Sequence, residues 1–172
     1  MTRNLASPTP VRPTERLSTL AIRSPDLAGI LLIRDQDNQP ERREGLEQAR
    51  REAKLPLPVV VGLAVVEREC WVISGFDPLN EAEESRLAAE RQTLGFDPRM
   101  RSEELTACKN DLARRSPKRV LRVLCDGEHD RERRCWLETL IETLRDRGAI
   151  NGLSMFLDEV RTKLAVLIGH IT

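Results

Sequence analysis

Two short apolar runs near the start of the chain predict two β-strands. Residues 28–34 contain Ile-Leu-Leu-Ile without a polar interruption, and residues 59–65 are rich in β-branched side chains. Runs of this length are typical of strands covered on both faces of a sheet. Between them, residues 40–54 are helix-forming and carry a thin apolar stripe that begins at Leu46. The order strand, helix, strand predicts a βαβ unit and therefore an α/β fold.

Pairs in which Asp or Ser precedes Pro predict helix starts further along the chain. The tetrapeptide Gly-Phe-Asp-Pro occurs at residues 75–78 and again at residues 95–98, and Ser116-Pro117 follows later. In each pair the first side chain can cap free backbone N–H groups while Pro occupies the first helical position. The pairs predict a helix from residue 78 to about residue 94, a further segment within residues 102–114, and a helix that begins at Ser116-Pro117.

The C-terminal third has the clearest helical spacing. One predicted helix ends at Gly148 and a last one follows Asn151, with a broad apolar stripe that indicates core packing or, alternatively, a partner-binding helix. The predicted fold is thus a small, mainly parallel sheet with flanking helices and a helical C-terminal third. The apolar positions of the two helices are Trp136, Leu137, Leu140, Ile141 and Leu144, and Leu153, Phe156, Leu157, Val160, Leu164 and Leu167.

Composition limits the class of protein. With 172 residues and 40% hydrophobic content, the chain predicts one domain over residues 26–172, after a Pro- and Arg-containing flexible arm at residues 1–25. Aromatic residues are only 3%, which argues against a platform that stacks single-stranded bases. No apolar run is long enough for a membrane span. Four cysteines without C-x-x-C spacing predict reduced thiols in a cytoplasmic protein and argue against structural zinc.

Charge is unevenly distributed although the formal net charge is zero. Residues 66–97 hold eight acids and three bases, a net of −5, whereas residues 98–122 hold eight bases and three acids, a net of +5. The basic segment predicts a surface that contacts nucleic-acid phosphates. A solvated helix face, or pairing with the acidic segment, explains the same charges. The candidate nucleic-acid-binding residues are Arg114, Arg115, Lys118, Arg119 and Arg122.

Two carboxylates separated by one residue follow the first predicted strand. Asp35 and Asp37 come where the carboxyl end of a strand in an open α/β sheet collects ligands. Mg²⁺ commonly binds through one or two carboxylates and keeps several waters, so the pair predicts a magnesium site. The alternative is structural, because Asp37 and Asn38 before Pro40 also suit an Asx turn or a helix cap.

The strand with its Asp-x-Asp end, followed by residues 60–64 leading into Glu69-Cys70-Trp71, resembles the TOPRIM-like fold. The similarity is to small stand-alone bacterial proteins of uncharacterised function that are encoded beside ATPases in defence-type gene pairs. The resemblance implies that Asp35, Asp37 and Glu69 bind Mg²⁺, for which Mn²⁺ can substitute, and that an ATPase is a partner. Lys118-Arg119 resembles a basic helix start of the same group.

One element of the TOPRIM pattern is not recognisable in the sequence. In the enzymes an upstream strand ends in a glutamate that acts as catalytic acid and base, but Glu15 stands alone in a stretch rich in Pro and Arg. This departure indicates either a truncated or mis-started chain or a degenerate member that keeps the fold without the chemistry.

Three functions remain open at this point. The leading hypothesis is a divergent TOPRIM-like protein that acts as a Mg²⁺-dependent nuclease on phosphodiesters. The alternative is a non-catalytic interaction subunit of an ATPase-containing complex, which the unrecognised glutamate strand favours. A nucleic-acid-binding module without chemistry is the third, supported by the basic segment alone. A Gly-x-Ser-x-Gly elbow and a Walker-type loop are both absent from the sequence.

Overall fold

The structure of the chain is a computed structural model that describes residues 27–167 and residue 169. The predicted flexible arm, residues 1–25, lies outside the described residues, as does His170. Within the described part, no helix combines the length and the apolar character needed to cross a membrane. The four cysteines are free thiols, and three of them are buried.

The first elements form the predicted βαβ unit. Strand β1 (Ile30–Asp35) is followed by helix α1 (Arg42–Ala53) and strand β2 (Val59–Ala64). The strands pair in parallel, and the last residue of β1 stands opposite the last residue of β2. Among the described residues the sheet has these two strands only. The mixed α/β class and the parallel pairing are therefore confirmed.

The two strands differ in how well they are covered. All six residues of β2 are buried, as expected for a strand with cover on both faces. In β1, by contrast, the side chain of Leu31 is 53% exposed. The prediction of cover on both faces is wrong for β1, because the helices lie mainly against β2.

Six helices follow the βαβ unit within the described residues, and they confirm the helical C-terminal third. A 3₁₀ turn at Ser102–Glu104 and a π-helical turn at Arg161–Ala165 add to them. The helices are α2 (Arg68–Ser74), α3 (Glu81–Leu94), α4 (Pro117–Leu124), α5 (His129–Leu137), α6 (Ile141–Arg147) and α7 (Leu153–Val160).

The largest part of the core lies among the helices. Ile73 of α2, Leu87 of α3 and Leu124 of α4 belong to one buried cluster, which also contains Phe76 and Cys135. Burial of such side chains contributes roughly 1.5–3 kcal/mol each. Helix α2 is therefore the element that connects the sheet edge to the helical body.

A second cluster joins the sheet to the C-terminal helices. The rings of Trp71 and Phe156 stack with centroids 5.1 Å apart. Both rings lie over Gly62 of β2, where a Cβ atom would come within 2.9 Å of Phe156 and 3.0 Å of Trp71. Glycine at this position therefore allows α7 and α2 to approach the middle of β2.

The Gly-Phe-Asp-Pro repeats do not start helices in the way the sequence predicts. Helix α3 begins at Glu81, and the side chain of Asn80 caps it by accepting from the Glu83 N–H at 3.0 Å. Asp77 does not cap α3, because its carboxylate accepts from Arg99 and Arg147 at 2.8 Å each. In the second copy Asp97 caps a single turn, and its Oδ1 accepts from the Arg99 N–H at 3.0 Å.

Two further predictions of helix extent are corrected. Residues 102–114 form only the 3₁₀ turn and a loop. The helix predicted through Trp136 and Leu144 is two helices, α5 and α6, with a break between them. The break occurs where the Thr139 hydroxyl donates to the Gly75 carbonyl at 2.6 Å, and it leaves Leu137 and Leu140 exposed.

The last helix is found where it is predicted and packs against the sheet. Leu153 is fully buried, and Leu164 lies against Gly29 just before β1. Glu159 on the same helix accepts a hydrogen bond from the Val61 N–H at 3.1 Å. Leu153 of the stripe is buried in the core, Phe156 and Leu157 pack against the same cluster, and Leu167 at the end is exposed.

Candidate functional site

The parallel pairing brings the segments that follow β1 and β2 to one edge of the sheet. After β1, the N–H of Gln36 donates to the Ala64 carbonyl at 2.9 Å. The next N–H, of Asp37, donates to the Val66 carbonyl at 3.2 Å. The two turns are therefore fixed to each other, and the carboxylates of the Asp-x-Asp pair lie beside the start of α2.

Each aspartate of the pair has an arginine partner. Asp35 Oδ1 accepts from the Arg68 backbone N–H at 2.9 Å and from Arg68 Nε at 3.1 Å. Asp37 Oδ2 forms an ion pair with Arg42 Nη1 at 2.6 Å. In the described structure Asp35 Oδ2 and Asp37 Oδ1 accept no hydrogen bond. Each carboxylate therefore keeps one oxygen for another ligand.

Glu67, which sequence reasoning did not single out, lies at the same edge. It precedes the first residue of α2, is only 7% exposed, and its carboxylate has no hydrogen bond from the described residues. Burial raises the pKa of Glu67, Lys118 opposes the rise, and Glu69, Asp35 and Asp37 add to it. In the sequence, Glu67 stands between the predicted second strand and the helix start that follows it, and this position could have indicated a site residue.

The candidate site consists of Glu67 and the charged residues that shift its pKa. Lys118, the second residue of α4, belongs to the helical body of the protein, and its charge interacts with that of Glu67. Its Nζ lies 3.3 Å from Asp111 Oδ1, and that hydrogen bond raises the pKa of Lys118, followed by the charge of Glu67. We name the group the strand-end cluster; it consists of Asp35, Asp37, Glu67, Glu69 and Lys118.

The other predicted nucleic-acid-binding residues are divided between structural contacts and the surface. Arg119 donates to both carboxylate oxygens of Glu90, at 2.8 and 2.6 Å, and the pair is largely buried. Arg114 donates to the Thr93 carbonyl, and the Arg115 guanidinium lies 5.7 Å from the centroid of the Phe96 ring. Pairing with the acidic segment therefore accounts for Arg119, while Lys118 and Arg122 are exposed.

The donor chemistry of the strand-end cluster fits a hard cation with an incomplete protein shell. Among residues 27–167, no group of three or more acidic, His or Cys side chains is arranged to hold a metal ion. Mg²⁺ requires less, since it is usually held by one or two carboxylates together with water and substrate phosphate. The free oxygens of Asp35 and Asp37 match that requirement.

Comparisons with protein-family models, curated proteins and solved structures gave no match for this chain.

Proposed function

We propose that the protein is a divergent TOPRIM-like, Mg²⁺-dependent nuclease whose site is the strand-end cluster. The observation that carries the proposal is that the Asp-x-Asp pair is bonded to the start of α2 at the carboxyl edge of a parallel βαβ unit, where Glu67 interacts electrostatically with both aspartates, Glu69 and Lys118. In open α/β sheets this edge is where ligands bind. The Asp-x-Asp pair and Glu69 also match the TOPRIM-like pattern in the sequence.

The residues of the cluster have separate roles in this proposal. Asp35 and Asp37 hold the ion through their free oxygens, water and substrate phosphate complete its shell, and Glu69 and its buried neighbour Glu67 add negative charge beside it. When bound, Mg²⁺ polarises the phosphodiester and stabilises the leaving oxygen. Lys118 adds a positive charge that offsets the carboxylates and attracts the phosphate backbone.

A cleavage assay with one matched pair of variants tests the proposal. Asp35→Asn removes one charge and is expected to abolish cutting of plasmid and single-stranded DNA in Mg²⁺ or Mn²⁺. The control is Asp126→Asn, because Asp126 is an exposed aspartate outside the cluster. Cutting by wild type and by Asp126→Asn, but not by Asp35→Asn, supports the proposal. No cutting by the folded wild-type chain, or equal cutting by all three proteins, contradicts it.

A second function is favoured by the ion pairs of the aspartates and by two exposed leucines. Arg68 and Arg42 neutralise the charges of Asp35 and Asp37, so the two aspartates need no metal ion as a counter-charge. Leu137 and Leu140, at the break between α5 and α6, offer apolar surface to a protein partner. This is the alternative in which the chain is an interaction subunit of an ATPase-containing complex.

The alternative proposes that an ATPase encoded beside this gene is the partner. Analytical ultracentrifugation of the chain with that purified ATPase tests it. A complex formed by wild type and by Leu112→Glu, but not by Leu137→Glu, Leu140→Glu, supports it, since Leu112 has a similar exposure but lies in the loop before α4. Absence of a complex with wild type contradicts it.

A further inference from the structure

Arg68 is an exposed cation in direct contact with an aspartate of the strand-end cluster. It is the first residue of α2, and its side chain is 65% exposed. Its single side-chain hydrogen bond among the described residues runs from Nε to Asp35 Oδ1 at 3.1 Å. The two terminal nitrogens of the guanidinium donate to no described group. They are therefore free to bind a ligand at the site.

The side chain of Arg68 can move without releasing Asp35. The backbone N–H of Arg68 donates to the same Oδ1 atom at 2.9 Å, so the carboxylate stays fixed when the guanidinium leaves. Arg42 differs, because it donates to Asp37, to Gln39 and to the Asp35 carbonyl at the same time. Arg42 is thus a structural contact of the turn, whereas Arg68 has one replaceable partner.

A phosphate is the ligand that suits the free part of this side chain. The guanidinium is planar, permanently charged and presents paired N–H groups that match two oxygens of a phosphate. Lys118, a second exposed cation, interacts electrostatically with Glu67 and Glu69 of the same cluster. Arg119, by comparison, is occupied by Glu90 and has no equivalent freedom.

We infer that Arg68 binds a backbone phosphate of a nucleic-acid strand that lies across the strand-end cluster. The inference rests on the proposed function and adds a substrate-binding residue to it. Arg68 exchanges its bond with Asp35 for a phosphate, and Asp35 keeps the backbone N–H of Arg68 as a donor. The strand is then held beside the carboxylates that bind the metal ion.

Fluorescence anisotropy with a labelled single-stranded DNA oligonucleotide in Ca²⁺ tests this contact, since Ca²⁺ allows binding to be measured without cleavage. Arg68→Ala is expected to weaken binding about tenfold and to reduce the slope of log affinity against log salt by about one. Arg68→Lys is expected to restore most of the slope but less of the affinity. The matched control is Arg133→Ala, because Arg133 is 64% exposed and pairs with a single aspartate on α5.

Mn²⁺ binding is measured on the same proteins to keep the two claims separate. If wild type binds Mn²⁺ and Arg68→Ala binds DNA as well as Arg133→Ala does, the inference is wrong and the proposed metal site stands. If wild type binds no DNA, the inference is wrong as well. If wild type binds no Mn²⁺, the proposed function is wrong, and the anisotropy comparison still decides whether Arg68 contacts phosphate.

Discussion

At the scale of single residues, hydrogen bonds from arginine side chains occupy some carboxylate oxygens of this protein and leave others available to ligands. Glu83 receives two hydrogen bonds from Arg131, both at 2.9 Å, and Asp97 receives bonds from Arg91 and Arg99. Both carboxylates are thereby occupied. Asp35, in contrast, is bonded through one oxygen only. Asp77 is also bonded through Oδ1 alone, so the strand-end aspartates are distinguished by a free oxygen together with their position at the carboxyl edge of the sheet.

The ion pairs of Asp97 predict a loss of stability in acid. Burial raises the pKa of Asp97, but the hydrogen bonds from Arg99 and Arg91 outweigh burial and lower it from 3.8 to about 2. Because the folded pKa lies below the unfolded one, this contribution is fully present above about pH 4 and disappears as the pH falls through about 2. Asp97→Asn should reduce the free energy of unfolding near neutral pH by about 1 kcal/mol, after allowance for solvent screening.

Urea denaturation at a series of pH values checks this expectation. The difference between wild type and Asp97→Asn should shrink as the pH falls from 4 towards 2, the range set by the two pKa values. Asp130→Asn is the control, because Asp130 forms an exposed surface pair with Arg133. A difference between wild type and Asp97→Asn that does not change with pH would contradict the account.

Asn151 is expected to be a major contributor to stability. It is fully buried, donates to the Ser74 and Ser102 hydroxyls at 2.8 Å each, and accepts from the Leu153 N–H at 3.1 Å. Asn151→Ala leaves the Leu153 N–H and the Ser102 hydroxyl without this partner, while Ser74 keeps its bond to the Cys70 carbonyl, and should lower the free energy of unfolding by about 3 kcal/mol. Asn110→Ala, which removes the same kind of bond at an exposed loop, should cost less than about 1 kcal/mol. Equal losses in urea denaturation would show that burial of Asn151 does not matter.

At the scale of elements, sequence patterns correctly predict the strands and helices whose positions depend on residues close in sequence. The apolar runs of β1 and β2 and the stripe of α7 are set by contacts close in sequence or by simple burial, and they occur where predicted. The start of α3 depends on contacts distant in sequence, because Arg99 and Arg147 bind Asp77, the residue predicted to cap this helix. Glu67 was missed because a glutamate before a helix does not show, in sequence, that it is buried.

The free edge of β2 depends on a side chain of α7. Glu159 accepts from the Val61 N–H at 3.1 Å and pairs with Arg50 and Lys163 at 2.9 Å each. Glu159→Ala should leave that N–H without an acceptor, lower the free energy of unfolding by about 1–3 kcal/mol, and speed amide exchange at Val61. Glu159→Gln keeps an acceptor and should protect the amide much better. Hydrogen exchange measured by NMR distinguishes these results, and unchanged exchange in Glu159→Ala would argue against the contact.

At the scale of the whole molecule, the fold brings together residues that are far apart in sequence. Asp35 and Asp37 follow β1, Glu67 and Glu69 surround the start of α2, and Lys118 comes from α4. The sequence predicted the aspartates, Glu69 and Lys118 individually, but the meeting of Lys118 with the carboxylates requires the helical core around α2 and α4. We expect a divalent cation to bind where these residues meet.

Mn²⁺ binding followed by electron paramagnetic resonance tests that claim most directly. The proteins are wild type, the double variant Asp35→Asn, Asp37→Asn and the control Asp126→Asn, Asp130→Asn. The control removes two exposed aspartates and, like the first variant, places Asn at one position of positive φ, since φ is 50° at Asp37 and 56° at Asp126. Circular dichroism first establishes that all three are folded. The account predicts Mn²⁺ binding by wild type and by the control, and its loss in the strand-end variant. No binding by folded wild type, or equal binding by all three proteins, would contradict it.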